Sequence, residues 1–430
     1  MGSLTLTKVM QFLSFSRLGG AILAGIVMAK MGLDLETIGK FELLFFLGKA
    51  ATSFWSDAIA KAILPLYPKL NTTEQKSFFA TSALLYVGFS LLSWIVLMLF
   101  KEPITIHFLK TTTIPYYDAY VLFLAINIPG LFLEQYYVLR EKPIKLLWYT
   151  LLSYTLYPLY FLIPIYLEID LVNIFKILTF IATIRLLWVL YILSSEGWTI
   201  NHPVLRKLLR LSTHFMAYIL VAMMAEIIDG FIINQKFADP KVFAIFRYGA
   251  RELPLTTALL SGLSLASVAK LSNNLQEHLP SYRQSLNRVL KITFPIAILL
   301  MLTSQWLFSY FFTPAFRESA FIFNTYLLIL GTRVLMPGPL MMAKLESKYM
   351  FWVSIAELAL NVVLSLIFVQ YWGIIGIAFG TVLAHYLEKI AYFYLLKKKY
   401  QISWTQTIDK QLFIAFWICL HLAYLWIWIG

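Results

Sequence analysis

Apolar windows of 18 or more residues, separated by short polar breaks, recur along the whole chain. Each window has the length that an α-helix needs to cross the hydrocarbon core of a bilayer. The windows are solidly apolar, whereas transmembrane strands would alternate apolar and polar residues. The pattern therefore predicts thirteen spans, near 9–29, 41–64, 78–100, 116–139, 146–167, 171–194, 208–235, 242–269, 289–312, 319–342, 349–370, 373–396 and 411–429.

The connections between these spans are short. The longest are 195–207 and 270–288, and neither has room for a folded domain outside the membrane. Between 370 and 373 the break is so short that we expect Gly373 and Gly376 to turn the chain. The chain is predicted to be an all-α polytopic membrane protein that acts within the bilayer.

Composition agrees with this class and excludes others. Hydrophobic residues make up 60% of the 430, enough for about thirteen spans of about 20 residues each. Charged residues are 13%, against about 25% in soluble domains, which excludes a water-soluble enzyme. Cys419 is the single cysteine, so a disulfide framework is excluded, and the scattered histidines predict no metal site.

The net charge of +13 carries an orientation signal. With the predicted spans, nineteen Lys and Arg residues fall on one face of the membrane and eight on the other. The positive-inside rule then places the N-terminus in the cytoplasm and, with thirteen spans, the C-terminus outside. We expect a multi-pass membrane protein with a cytoplasmic N-terminus.

The polar break at 195–207 divides the first twelve spans into six and six, as in transporters built from two repeats. We predict an N-terminal lobe at 1–195 and a cytoplasmic linker at 196–206. A C-terminal six-helix lobe follows at 207–397. An amphipathic linker and one extra helix then occupy 398–430.

Eight cations remain inside the predicted spans: Arg17, Lys49, Lys61, Arg185, Arg247, Arg251, Arg333 and Lys389. A charge at the bilayer centre costs about 2.5–3.5 kcal/mol on insertion scales, so these residues must snorkel, pair with acids or line water. Snorkelling or local pairing is the simpler explanation for Lys61, Arg185 and Lys389.

Three of these cations lie well inside helices 1, 2 and 8: Arg17, Lys49 and Arg251. Arg247 precedes Arg251 by one helical turn, so the two could act together. A cavity lined by such cations favours an anionic ligand, and arginine matches the geometry of phosphate.

Acids inside the spans suggest ion coupling. Glu226 and Asp229 are three residues apart on helix 7 and share a face. Such a pair could bind Na⁺ or carry a proton. The alternative is a salt bridge to Arg247 or Arg251 on the next helix.

Three stretches in the second half of the chain resemble the MOP exporter superfamily, and most closely its polysaccharide-transporter, or O-antigen flippase, branch. They are AEIID at 225–229, FRYGARELP at 246–254 followed by ASVAKL at 266–271, and LNVVLS at 360–365 with GIIGIAFGT at 373–381. The last of these is the most specific.

The resemblance implies two six-helix lobes around a central cavity that opens alternately to each side. The implied cargo is an undecaprenyl-pyrophosphate-linked oligosaccharide for cell-surface polysaccharide or lipopolysaccharide synthesis. Arg17, Lys49 and Arg251, with Arg247 assisting, match positions that hold pyrophosphate in related flippases. Asp229, Asn361 and Thr381, with Glu226 nearby, match an ion-coupling region in which Ser365 stands for a second acid.

No cofactor is expected beyond Na⁺, H⁺ or the membrane potential as energy source. The expected partners are the lipid-linked oligosaccharide and membrane lipids, and no nucleic acid. We expect a monomer that could work with polysaccharide-assembly proteins.

One alternative is a multidrug exporter of the same superfamily, although such cargo is often cationic. Another is a glycan polymerase or acyltransferase, although no catalytic constellation is present. The third is a scaffold without transport.

Overall fold

The structure, a computed structural model, describes residues 5–111, 114–251, 260, 263–264, 267–268 and 270–429. These residues are predominantly helical, and no strand occurs among them. The predicted all-α class is therefore confirmed. The chain divides into two compact units, Met1–Met223 and Met224–Gly430, and the boundary falls within one long helix. The predicted lobes instead meet at 196–206, and their exact limits stay a prediction.

The first unit contains six helices and the beginning of a seventh. They are α1 Leu6–Lys30, α2 Leu35–Leu66, α3 Thr72–Leu99, α4 Tyr117–Leu139, α5 Pro143–Tyr166, α6 Val172–Glu196 and α7 His202–Phe237. A 3₁₀ turn at Ile128–Leu131 interrupts α4, and a π-helical turn at Leu151–Thr155 interrupts α5. Neither irregularity was expected from the hydropathy pattern.

The second unit contains the end of α7 and the remaining helices. They are α8 Pro240–Gly249, α9 Leu275–Phe311, α10 formed by Pro314–Arg333 and Pro337–Ala343, α11 at 347–371, α12 at 374–400, and α13 Lys410–Ile429. The two parts of α10 meet at an angle of 41°.

Helices α11 and α12 form an antiparallel hairpin with almost no loop. The backbone leaves helical geometry at Trp372 and Gly373, and Gly373 has a φ of 56°, a value that glycine adopts without strain. The turn predicted at Gly373 is confirmed, whereas Gly376 lies within the helical part of α12. Near the turn, the Ser365 hydroxyl oxygen lies 3.2 Å from the Ile377 carbonyl oxygen. At the far end, Lys399 donates to Glu346 at 2.6 Å, so the two arms run side by side over their full length.

Large aromatic side chains fill the interior of the first unit, including Phe41, Trp55 and Phe78, which are fully buried. In the second unit, α13 completes the core. Phe413 and Phe416 pack their rings against Phe294 of α9, and Tyr424 forms a 2.9 Å hydrogen bond with Thr325 of α10. The C-terminal helix is thus an integral part of its unit.

Eight helical segments in the described part of the chain are long and apolar enough to cross a membrane, with the α11–α12 hairpin counted as one segment. The number is nine if the bent α10 counts as one span. Most helix bounds follow the predicted spans, but α9 begins at Leu275, inside the predicted connection 270–288, and α8 ends at Gly249. Helices α2 and α7 are not among those eight. The predicted count of thirteen spans therefore stays a prediction, and the span at 242–269 lies partly outside the described residues.

Asp34 caps the N-terminus of α2. Its carboxylate accepts from the Glu36 and Thr37 amides at 2.9 and 3.0 Å and from the Thr37 hydroxyl at 2.7 Å. The Thr37 hydroxyl hydrogen bond, followed by the amide bonds, lowers the pKa of Asp34 below its usual range. The cap is therefore complete at neutral pH and is lost as pH falls through that lowered pKa.

We expect Asp34→Ala to lower the free energy of unfolding by about 1 kcal/mol, because two amides lose their acceptor. Thermal unfolding of the detergent-solubilised protein over the acid pH range measures this effect. Asp34→Asn is the control. It keeps an acceptor at the cap position, but the stability of this variant should no longer fall with pH through titration of Asp34. An unchanged unfolding midpoint in Asp34→Ala would contradict the assignment.

Candidate functional site

Arg17, one of the predicted cations, lies in the middle of α1 and pairs with an acid of α4. Its Nη2 donates to both carboxylate oxygens of Glu134, each at 2.6 Å. The Glu134 side chain is 11% exposed, whereas the Arg17 side chain is 47% exposed. The pair offsets the charge that Arg17 brings into the span, and it leaves much of the guanidinium surface accessible.

Two tyrosines of α5 also donate hydrogen bonds to the Glu134 carboxylate. The hydroxyls of Tyr149 and Tyr154 donate to Glu134 Oε1 at 3.0 and 2.8 Å. The Arg17 guanidinium also lies 4.9 Å from the centre of the Tyr154 ring. Glu134 therefore accepts from three donors on two other helices, which fixes its position and that of Arg17.

The π-helical turn of α5 explains why both tyrosines reach one carboxylate. The Leu156 amide donates to the Leu151 carbonyl five residues earlier at 3.0 Å, the pattern of a π turn. Widening the helix in this way brings side chains five residues apart toward one side. Gly20 of α1 permits close approach, since a Cβ there would lie 2.4 Å from the Tyr154 carbonyl oxygen.

Further charges of α2 lie near this pair. Asp57 is within electrostatic reach of Arg17, Lys61 and Lys49, as well as Glu134. Lys49, Asp57 and Lys61 are exposed on the surface of the unit. Three cations thus face two acids in this part of the first unit, which leaves a net positive local charge.

Arg185 of α6 is buried at 4% exposure, and its guanidinium donates to the Asn127 side chain. Its centre lies 5.8 Å from the Tyr149 ring. Of the two explanations considered for this residue, local pairing fits and snorkelling does not.

The predicted ion-coupling residues of the second unit come together around Asp229 of α7. Asp229 Oδ2 accepts from the hydroxyls of Tyr326 at 2.5 Å and Thr381 at 2.6 Å. The Thr381 hydroxyl also lies 3.2 Å from Asn361 Oδ1, to which Ser365 donates at 2.9 Å. Asp229, Asn361 and Thr381 therefore form one buried polar cluster.

Tyr326 is a member of this cluster that the sequence did not single out. Asp229 Oδ1 is buried and has no hydrogen-bond partner within the described part of the chain. The side chain of Glu226, predicted to act with Asp229, lies outside the described residues.

Arg247 and Arg251 occupy different settings from those expected. Helix α8 ends at Gly249, where the Ala250 amide caps it by donating to the Phe246 carbonyl at 2.8 Å. Arg251 therefore follows the helix instead of continuing its face one turn after Arg247. Its guanidinium lies 4.2 Å from the centre of the Tyr248 ring, and both arginines are half-buried.

The four cations predicted to bind pyrophosphate are distributed over both units. The first unit holds Arg17 and Lys49, and the second holds Arg247 and Arg251. Sequence reasoning did not assign a role to Glu134, Tyr149 or Tyr154. Glu134 is an acid inside α4, which was the available signal, but its contact with α1 spans 117 positions of the chain.

A family model described as "Lipid II flippase MurJ" matches residues 172–430, which is more than half of the chain. No curated protein sequence matches the chain significantly.

Solved structures of the same superfamily share the fold. The inward closed conformation of a lipid II flippase MurJ has a TM-score of 0.74 and 16% sequence identity, covering 98% of this chain and 92% of that one. An inward-facing multidrug resistance MATE family transporter has a TM-score of 0.64 and 14% identity, covering 93% and 97%. A MOP superfamily transporter from Pyrococcus furiosus has a TM-score of 0.53 and 15% identity, covering 92% and 96%.

These findings confirm the predicted MOP superfamily and correct the predicted branch. The matched family is the lipid II flippase family, whereas the sequence resemblance had favoured the polysaccharide-transporter branch; the helix 11 and 12 motif is shared by the whole superfamily. The matched family consists of flippases, which confirms the prediction that the chain is not an enzyme. The chain is a multi-pass membrane protein that belongs to the MurJ lipid II flippase family.

Proposed function

We propose that this protein moves a polyprenyl-pyrophosphate-linked glycan from the cytoplasmic to the outer leaflet of the bacterial inner membrane. Lipid II, the cargo named for its family, is the first candidate. An undecaprenyl-pyrophosphate-linked oligosaccharide of the O-antigen type is the second, since both lipids carry the same anionic group. The lipid tail stays in the bilayer while the two lobes alternate access to the head group.

The observation that carries this proposal is the setting of Arg17. Both of its hydrogen bonds in the described part of the chain use Nη2, and the side chain is 47% exposed, so other N–H groups of the guanidinium remain to donate to a phosphate oxygen. Its neighbours Lys49 and Lys61 add positive charge. An arginine fork suits a pyrophosphate better than a neutral or cationic drug, which argues against multidrug export.

The remaining parts of the proposal follow from the same arrangement. Lys49, Arg247 and Arg251 assist in holding the pyrophosphate. The Asp229, Asn361 and Thr381 cluster, with Glu226, couples the cycle to an ion. The N-terminus lies in the cytoplasm, and the protein works as a monomer that could associate with glycan-assembly proteins.

We expect Arg17→Ala to reduce the flipping rate by about tenfold to a hundredfold, because a charge-assisted hydrogen bond contributes about 1.5–3 kcal/mol. Lys49→Ala and Arg251→Ala should each reduce it by a smaller factor. Proteoliposomes loaded with fluorescent lipid II, or with a lipid-linked oligosaccharide, measure the rate and distinguish the two cargoes.

Lys40→Ala is the matched control. Lys40, like Lys49, is a cation of α2, but it lies near the start of the helix and pairs with Glu36 at 2.8 Å. It should flip at the normal rate. Normal rates in all three test variants, at equal protein levels, would reject the proposed site. Restoration of surface glycan in cells provides the same comparison.

A further inference from the structure

A second polar layer crosses the α11–α12 hairpin, one turn farther from its bend than the Asn361 and Thr381 layer. Residues four apart share a helix face, so Glu357 lies below Asn361 and His385 lies below Thr381. His385 Nδ1 is 4.0 Å from Glu357 Oε1. The two titratable side chains thus face each other across the hairpin, next to the Asp229 cluster.

His385 lies between two carboxylates. Its Nδ1 is also 3.5 Å from Glu388 Oε2, but Glu388 already accepts a hydrogen bond from Lys389. Glu357 has no such cation. Its side chain is 7% exposed, and its Oε1 has no hydrogen-bond partner in the part of the chain that the structure describes. A buried, unmatched carboxylate of this kind is costly unless a positive group or a proton reaches it.

The charged and titratable groups around Glu357 supply less positive charge than the carboxylates there require. They are His385, Glu388 and Lys389 of α12, Asp229 of α7, and Tyr326 of α10, which contacts Asp229. Lys389 is the one fixed cation among these five groups, against three carboxylates counting Glu357 itself. A protonated His385 would supply a second positive charge at the right place.

A proton fits this layer better than a metal ion. In the described residues, no group of three His, Cys, Asp or Glu side chains is placed to hold a metal. The His385 side chain is 24% exposed, whereas Glu357 is 7% exposed, so the imidazole is the more accessible of the two groups. Imidazole is also the side chain whose charge changes between about pH 5 and pH 8.

We propose that Glu357 and His385 form a proton-binding site. A proton from water binds the His385 imidazole, and the resulting imidazolium lies between two carboxylates, Glu388 at 3.5 Å and Glu357 at 4.0 Å. The imidazolium later releases the proton back to water. Because this layer adjoins Thr381 and Asn361, its charge acts on the Asp229 cluster one turn away.

Nuclear magnetic resonance of isotope-labelled histidine in the full-length protein, in lipid nanodiscs, tests the site directly. His385→Gln identifies the His385 signal. That signal should show a transition between about pH 5 and pH 8, and Glu357→Gln should shift its midpoint by more than about half a pH unit. Glu357→Asp, which keeps the charge, should shift the midpoint less than Glu357→Gln.

His421→Gln is the matched control. His421 is a part-buried histidine of α13 that contacts Tyr386 and Trp417 and has no carboxylate contact in the described residues. This variant should leave the His385 transition unchanged. Absence of a transition in that pH range, or the same midpoint in wild type and Glu357→Gln, overturns the proton site.

A transport measurement then connects the site to flipping, and only this part rests on the proposed function. The flipping rate of the wild type should vary over the pH range of the His385 transition, and His385→Gln should remove that variation. If His385 titrates as expected but no lipid-linked glycan is moved, the proton site stands and the flippase proposal fails. If flipping occurs without the His385 transition, the flippase proposal stands and the proton site fails.

Discussion

Replacing Glu134 by alanine is expected to lower the free energy of unfolding by about 3 kcal/mol, because the change breaks an ion pair inside the membrane. Arg17, Tyr149 and Tyr154 would lose a common acceptor, and two of these donors come from the π turn region of α5. The estimate lies at the lower end for buried ion pairs since Arg17 is half exposed. Chemical or thermal unfolding in detergent measures it.

The double variant Arg17→Ala, Glu134→Ala separates stability from transport. It removes the cation together with its acceptor, so no uncompensated charge remains in the span, and about half of the lost stability should return. Flipping should stay as low as in Arg17→Ala alone. A double variant as unstable as Glu134→Ala would show that the tyrosines, and not the charge, dominate the effect.

Glu196→Ala is the matched control for this prediction. Glu196 also accepts from one tyrosine and one arginine, Tyr136 at 2.6 Å and Arg140, but it lies at the end of α6. Glu196 is 19% exposed against 11% for Glu134, although Arg140 at 35% is less exposed than Arg17 at 47%. Because the pair lies at the end of its helix and not inside the span, we expect it to contribute about 1 kcal/mol or less. Equal losses of unfolding free energy in Glu134→Ala and Glu196→Ala would show that an ion pair inside the span contributes no more than one at the end of a helix.

Replacing Gly380 by alanine is expected to lower the free energy of unfolding by about as much as Glu134→Ala does. A Cβ there would lie 2.5 Å from both the amide nitrogen and the hydroxyl oxygen of Ser365, and 2.8 Å from its Cα. Backbone atoms cannot move aside as a flexible side chain would, so α11 and α12 must separate. We expect Gly380→Ala to cost about 3 kcal/mol and to abolish flipping, because Asn361 and Thr381 would lose their alignment.

Gly88→Ala provides the opposite case. A Cβ at Gly88, in the middle of α3, meets nothing within 4 Å. The replacement should therefore raise stability by about 0.5–1 kcal/mol through the better helix propensity of alanine. The two purified variants should be compared by thermal unfolding in the same detergent. Equal behaviour of the two would disprove the close contact of α11 and α12.

Hydropathy and charge predicted the helices, the turn at Gly373 and the candidate cations, because each of these is recorded locally in the chain. They could not predict which acid meets Arg17, since Glu134 lies 117 positions away and several acids occur within the spans. Likewise, the hydrogen bond from Thr381 to Asp229 joins residues 152 positions apart. Long-range pairing depends on helix packing, which periodicity alone does not determine.

Local irregularities were equally beyond the sequence pattern. The π turn of α5 places Tyr154 beside Glu134, yet its residues read as an ordinary apolar helix. The same is true of Glu357 and His385, which were separate residues until the hairpin brought them together. Approximate span positions were therefore predictable, and the partners within each polar cluster were not.

The nearly loopless bend at Trp372 and Gly373 has a consequence for how the protein is made. No loop is long enough for α11 to insert while α12 remains in water. The two helices must therefore enter the bilayer together as a helical hairpin during synthesis. Glu388 and Lys389 would then already be neighbours, and Glu357 would face His385, as the pair leaves the insertion machinery. The hairpin thus carries its own countercharges, which lowers the cost of inserting four polar side chains.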